Sequence, residues 1–122
     1  MNGTMRQIMT AEIRPPRPAA SLVVVRNGTA GPSAARSIEV LLLMRTERGD
    51  HNSGAWVFPG GIVDRRDRDW HRCTGVEDAT ISQRLALDKG GLDYAIAAIR
   101  ECFEEAGVLF ADDGEEIGRA HV

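Results

Sequence analysis

Three glutamates, Glu101, Glu104 and Glu105, stand at spacings i, i+3 and i+4 within the stretch RECFEEAGV, residues 100–108. On a helix turning about 100° per residue they share roughly 100° of arc, so their carboxylates lie within a few ångströms of one another. Like charges so placed cost a helix about a few tenths of a kcal/mol per pair, and a bound cation removes that cost. Hard oxygen donors with no imidazole or thiolate among them suit Mg²⁺ or Mn²⁺ and not zinc. An ordinary solvated helix face is the competing reading, and the three glutamates alone leave both open. His71 and Cys73 could chelate as a pair, but no two further ligands stand near them in the sequence, which makes zinc a poor fit.

The glutamates need a helix to hold them, and residues 94–106 supply the pattern. Asp93 serves as its expected N-cap and Gly107 as its left-handed stop, with the apolar run 108–110 beyond. On this helix Ala95, Ile96, Ile99, Cys102, Phe103 and Ala106 form the face expected to pack on a sheet, with the glutamates opposite. The sheet comes from three β-branched or apolar runs. Residues 21–26 end at Asn27-Gly28, residues 38–46 are too continuous for an edge, and residues 55–58 are stopped by Pro59-Gly60-Gly61. A glycine pair at that stop lets the backbone come close to something. Between sheet and helix, residues 62–92 are the least regular part. The Asp/Arg run 64–69 is expected as a solvated loop and residues 76–87 as a weak helix. Residues 1–18, with Pro15, Pro16 and Pro18, read as a flexible tail.

Composition bounds the function classes. A chain of 122 residues with 43% hydrophobic and 27% charged residues fits one globular domain. The longest apolar runs, 22–25 and 40–44, fall far short of a membrane span. No secretory signal is visible at the start, so a cytoplasmic location is expected. The net charge of −3 gives nucleic acid no electrostatic footing. Cys73 and Cys102 are too few for a disulfide framework and read as free thiols.

RECFEEAGV resembles the second half of the Nudix box, G-x5-E-x7-R-E-U-x-E-E-x-G-U, where U is aliphatic. Cys102 holds the first U position and Val108 the second, and Phe58-Pro59-Gly60-Gly61 precedes the box as it does in the family. In the first half, Asp67 stands six residues after Gly61 where the pattern has glutamate, and 32 residues instead of seven separate it from Arg100. An insertion of about residues 68–92 therefore splits the box. Such insertions mark the peroxisomal type of coenzyme A diphosphatase and its bacterial relatives. A coenzyme A signature, L-L-T-x-R-[S/A]-x3-R-x3-G-x3-F-P-G-G, is similar to residues 41–61. Leu41, Leu42, Arg45, Gly54 and Phe58 to Gly61 match, while Leu43, Thr46 and Asp50 depart from it.

This resemblance implies an α+β fold of the Nudix type, an α/β/α sandwich with a mixed sheet. Residues 19–122 would be its N-terminal portion, incomplete at the C-terminus. It implies Mg²⁺- or Mn²⁺-dependent hydrolysis of a diphosphate linkage in a small nucleoside diphosphate derivative, coenzyme A or acyl-coenzyme A among the candidates. Glu104 and Glu105 would be the main metal ligands, with Glu101 completing the set or orienting the water and the Gly60 carbonyl adding a ligand. Arg100 would hold a glutamate in place, and Arg45 and Gly61 would meet the substrate. A non-catalytic nucleotide- or protein-binding module of the same descent is the competing class, as is an inactive fragment. The short sheet is expected to expose Leu41, Leu43 and Val57 and to make the chain prone to aggregate or to pair with a second copy.

Overall fold

Three extended runs each divide their pairing between the other two. In the computed structural model, which describes residues 14–28, 31, 37–45, 54–111 and 120–121, the first run carries β1 (Ala19–Ser21) and β2 (Val25–Asn27). The second carries β3 (Ile38–Val40) and β4 (Leu43–Met44), and the third β5 (Trp56–Val57) and β6 (Gly60–Ile62). β1 pairs with β6, β2 with β3 and β4 with β5, all antiparallel. Backbone bonds carry the pairing past each short ladder, Leu22 to Pro59 at 2.8 Å, Leu41 to Val24 at 3.0 Å and Arg45 to Ala55 at 2.9 Å. The second run thus pairs with the first over its N-terminal part and with the third over its C-terminal part, and does not lie between two strands as its continuous apolar character predicts. Pro59 interrupts the third run without ending it, because a proline carbonyl still accepts a bond although the residue donates none. A fourth antiparallel pair joins β7 (Leu109–Phe110) to β8 (Ala120–His121). The class is α+β, and among the described residues the strands form four two-stranded ladders and no single mixed sheet.

Alternation along the three runs separates two faces. Val23, Val25, Ile38, Val40, Leu42, Met44, Trp56 and Phe58 stand 40–71% exposed. Their neighbours Leu22, Val24, Leu41, Leu43 and Val57 are half-buried. The exposed positions are therefore one residue out of step with the expected Leu41, Leu43 and Val57, and a one-residue shift moves a strand's whole apolar set to the other face.

The core lies along one helix. α2 (Gly91–Ala106) supplies Leu92, Ile96, Ala97, Ala98 and Cys102, all buried. It packs against β1, β6 and β7, and also against a 3₁₀ helix, Arg65–Cys73, and α1 (Asp78–Arg84). Enclosure from several directions explains why the buried residues do not form the single stripe expected. Ala97 and Ala98 are buried, while Phe103 is exposed.

The stretch expected as a solvated charge run and external insertion is instead folded onto α2. The 3₁₀ helix begins with a reciprocal cap, in which Asp64 Oδ1 accepts from the Arg66 amide at 2.8 Å and Asp67 Oδ2 from the Asp64 amide at 2.7 Å. α1 then caps α2 from outside. Asp78 accepts from the amides of Gly90 at 2.8 Å and Leu92 at 2.9 Å, and Ser82 Oγ accepts from Gly91 at 2.9 Å. Asp93, the expected N-cap, lies inside the first turn, and Gly90 in the left-handed conformation precedes the helix. A Cβ at Gly91 would strike the Ser82 backbone, so this glycine sets the closeness of the two helices. Gly107 ends α2 at φ 70°, as expected. The tail 1–13, the loop residues 46–53 with Thr46 and Asp50, and residues 112–119 lie outside the described residues.

Candidate functional site

Arg100 sits at the centre of the site, and each of its five N–H groups has an acceptor. Nε and Nη2 reach the two oxygens of Asp67 at 2.7 and 3.2 Å, and Nη2 also donates to the Ile62 carbonyl at 3.0 Å. Nη1 donates to Glu101 Oε1 at 2.7 Å and Glu104 Oε2 at 3.3 Å. A guanidinium has five donors in a rigid plane, so this arrangement fixes the side chain without remaining freedom. Asp67 is wholly buried, 0% exposed, and its hydrogen bonds raise the Arg100 pKa above the ordinary arginine value despite the opposing effect of burial. The aspartate in the first acidic position of the box therefore orients the arginine, and the arginine orients two of the glutamates.

The glycine pair approaches the glutamates from β6. A Cβ on Gly61 would come within 2.6 Å of both Glu101 carboxylate oxygens, space that only glycine leaves open. The Gly60 amide donates to Glu105 Oε2 at 3.2 Å. A Cβ on Gly60 would collide with the Ala20 carbonyl, so β1 requires this glycine independently. Cys102, between the glutamates in sequence, is turned into the core, where burial pushes its thiol pKa up, with the nearby Glu105 charge adding to the effect. No soft ligand competes for the patch.

A cleft of about 440 Å³ opens beside these groups, lined by Leu43, Met44, Arg45, Val57, Phe58, Gly60 and Glu105. Arg45, expected to meet substrate, thus shares a cavity with Gly60 and Glu105, and the rest of its lining is apolar. Of the expected site residues, Arg45, Gly60 and Glu105 line this cleft, while Arg100, Glu101, Glu104 and Gly61 are linked by the contacts described above.

As they stand, the carboxylates do not converge on one point. Among the described residues no group of three His, Cys, Asp or Glu side chains is placed to hold an ion. Glu101 and Glu104 turn onto Arg100 and Glu105 onto the Gly60 amide. The donor chemistry nevertheless fits a hard divalent cation: three carboxylates on one flank of α2, beside a glycine pair that leaves the space a side chain would fill. His71 is not paired with Cys73 as a chelate. Its Nε2 bonds Asp93 Oδ1 at 2.6 Å, and Arg68 joins the same carboxylate at 3.3 Å. Sequence reasoning missed two things here, the role of Asp67 and the capping of α2 by Asp78 and Ser82. The register of Asp67 six residues after Gly61 was a usable signal for the first, and nothing local announces the second.

The NUDIX domain family model matches residues 15–121. A Caenorhabditis elegans protein bearing the name nudix hydrolase 7 is 35% identical over 75 residues, covering 62% of this chain and 19% of that protein. The acyl-coenzyme A diphosphatase NUDT19 of Gallus gallus is 29% identical over 133 aligned residues, covering 87% of this chain and 35% of that protein. The crystal structure of a NUDIX hydrolase from Alicyclobacillus acidocaldarius superposes with a TM-score of 0.61 at 30% identity, over 88% of this chain and 44% of that one. The chain therefore spans less than half the length of each of these proteins. Among the described residues no helix is long and apolar enough to cross a membrane.

Proposed function

The chain belongs to the NUDIX domain family, and from that premise we propose that it carries the metal-binding half of a divalent-metal-dependent diphosphatase. Its substrate would be a nucleoside diphosphate derivative, with coenzyme A or an acyl-coenzyme A preferred. The observation that carries this reading is the Arg100 array, which holds Glu101 and Glu104 on α2 with the Glu101 carboxylate directly against Gly61. Glu101, Glu104 and Glu105 with the Gly60 carbonyl would hold Mg²⁺ or Mn²⁺. When bound, such an ion offsets diphosphate charge and lowers the pKa of a bound water.

The remaining roles belong to the chain itself. Asp67 fixes the plane of Arg100, Arg100 holds the glutamates, and the Gly60 amide orients Glu105. Arg45 at the rim of the cleft is placed to meet a phosphate by charge-assisted hydrogen bonds. The walls formed by Leu43, Val57 and Phe58 suit a partly apolar moiety beyond the diphosphate. Coenzyme A is supported by the match of residues 41–61 to its signature and by the similarity to the avian acyl-coenzyme A diphosphatase.

Titrating Mg²⁺ or Mn²⁺ into the protein tests the metal reading, because a ligand that binds only the native state raises its melting temperature. The rise is expected for the natural chain and absent in Glu104→Gln/Glu105→Gln. An equal rise in the double variant rejects these residues as ligands. No rise in either favours a binding module that uses the fold without the metal.

A further inference from the structure

The guanidinium of Arg100 is divided between two kinds of partner. Nε and Nη2 hold the buried Asp67 carboxylate and the Ile62 carbonyl, which anchors the side chain to the 3₁₀ helix and to β6. Nη1 reaches instead to Glu101 Oε1 at 2.7 Å and Glu104 Oε2 at 3.3 Å. One nitrogen thus bridges two of the three carboxylates that share this flank of α2, and its charge offsets their mutual repulsion. That is the service a divalent cation would perform for the same pair. A cation reaching both Glu101 and Glu104 has to come between their carboxylates, and a positively charged nitrogen already there repels it.

We propose that Nη1 is a displaceable latch, which holds Glu101 and Glu104 until a divalent cation takes them and then lets go while Nε and Nη2 stay on Asp67. The proposal rests on the reading of these glutamates as metal ligands. What decides which half of the guanidinium yields is the burial of its partners. The Asp67 side chain is 0% exposed, so no water can replace Arg100 there. The Glu101 and Glu104 side chains are 17% and 55% exposed, so both can exchange the arginine for water or an ion. Separating a buried charged pair costs far more than separating pairs that water already reaches. Metal affinity is therefore set by competition with Arg100, and the bridge that keeps the glutamates together also has to be broken to load the site.

Nitrogen-15 NMR of the arginine side chains tests this on the whole natural chain, with the Arg100 signals assigned from their loss in Arg100→Lys. Adding Mg²⁺ should move the Nη1 signal toward that of a solvated arginine and speed its hydrogen exchange, while the Nε signal, held by Asp67, stays in place. Arg100→Lys gives a second measure. Its ammonium keeps the charge and is claimed by the buried Asp67 carboxylate, so it cannot also bridge the glutamates. Calorimetric titration should then show Mg²⁺ bound about tenfold more tightly than by the natural chain, the order expected on removing two partly exposed ion pairs. Affinity that is equal or weaker in Arg100→Lys overturns the latch, because the bridge is then not in competition with the ion. A Mg²⁺-induced rise in Tm with the Nη1 signal unmoved, or with Nε released as well, overturns the latch and leaves the metal reading standing. No response of Tm or of either signal to Mg²⁺ overturns both.

Discussion

Replacing Arg100 with glutamine removes both bonds to a carboxylate that has no access to water. Asp67 would keep one donor, the Asp64 amide at 2.7 Å. Breaking a buried charged pair by removing one partner costs about 3–5 kcal/mol. Arg100 is itself 25% exposed on its side chain, so the low end, about 3 kcal/mol, is the expected loss. Asp67→Asn preserves shape and the bond from Asp64 but surrenders the charge, for about 2 kcal/mol. In the double variant no buried carboxylate is left stranded, so the total should be about 3 and not about 5 kcal/mol, a coupling of about 2 kcal/mol. For a domain of this size the single Arg100 change corresponds to a fall in Tm of about 12 °C. Urea unfolding followed by circular dichroism, at one protein concentration for all four proteins, measures the cycle. Additivity within about 0.5 kcal/mol would refute the claim that Asp67 acts through Arg100.

Asp78 gives a pH test. The Leu92 and Gly90 amides hold its carboxyl below its ordinary value of 3.8, so the stability it contributes is full above that value and is lost as pH falls through the lower folded value. Urea midpoints measured through this acid range should fall with decreasing pH in the natural chain and flatten in Asp78→Asn; equal slopes would remove Asp78 as the cause. Gly61→Ala places a methyl group against the Glu101 carboxylate, so it should weaken the metal-induced rise in Tm more than it lowers the metal-free Tm. A loss confined to metal-free stability would mean that the approach of Gly61 to Glu101 serves packing alone.

The parts of this fold that were legible in the sequence are those decided locally. Gly107 and the run from Arg100 to Val108 are contiguous, and the structure ends α2 at Gly107 as read and sets all three glutamates on that helix. The start of α2 was misplaced because its cap comes from Asp78 and Ser82, which belong to another helix, while Asp93 alone has the chemistry of a local cap. The buried side of α2 was misassigned because a helical wheel assumes a single partner surface. Ala97 and Ala98 are buried on a helix that packs against β1, β6, β7, the 3₁₀ helix and α1 at once. Asp67 illustrates the same difficulty: an aspartate in an Asp/Arg run reads as solvated until Arg100, far along the chain, is brought to it. The strands were recognised from their residue types, but the sharing of each run between two partners depends on long-range register. That register also decides whether Leu41 or Leu42 meets water.

The capping of α2 by α1 has a consequence for how an anion can approach. The leading amides of a helix carry its positive end and form a ready cradle for phosphate. Here Asp78 and Ser82 already occupy the amides of Gly90, Gly91 and Leu92, so the cradle is closed by the protein's own carboxylate. Glu101, Glu104 and Glu105 lie in the last two turns, where the helix is electrically negative and each carboxylate adds to that sign. A diphosphate arriving at this flank meets repulsion from both backbone and side chains, with Arg100 fully committed and Arg45 alone among the cleft's lining residues carrying positive charge. Under the proposed function, the demand for a divalent ion is thus built into the choice of which end of α2 the protein keeps for itself.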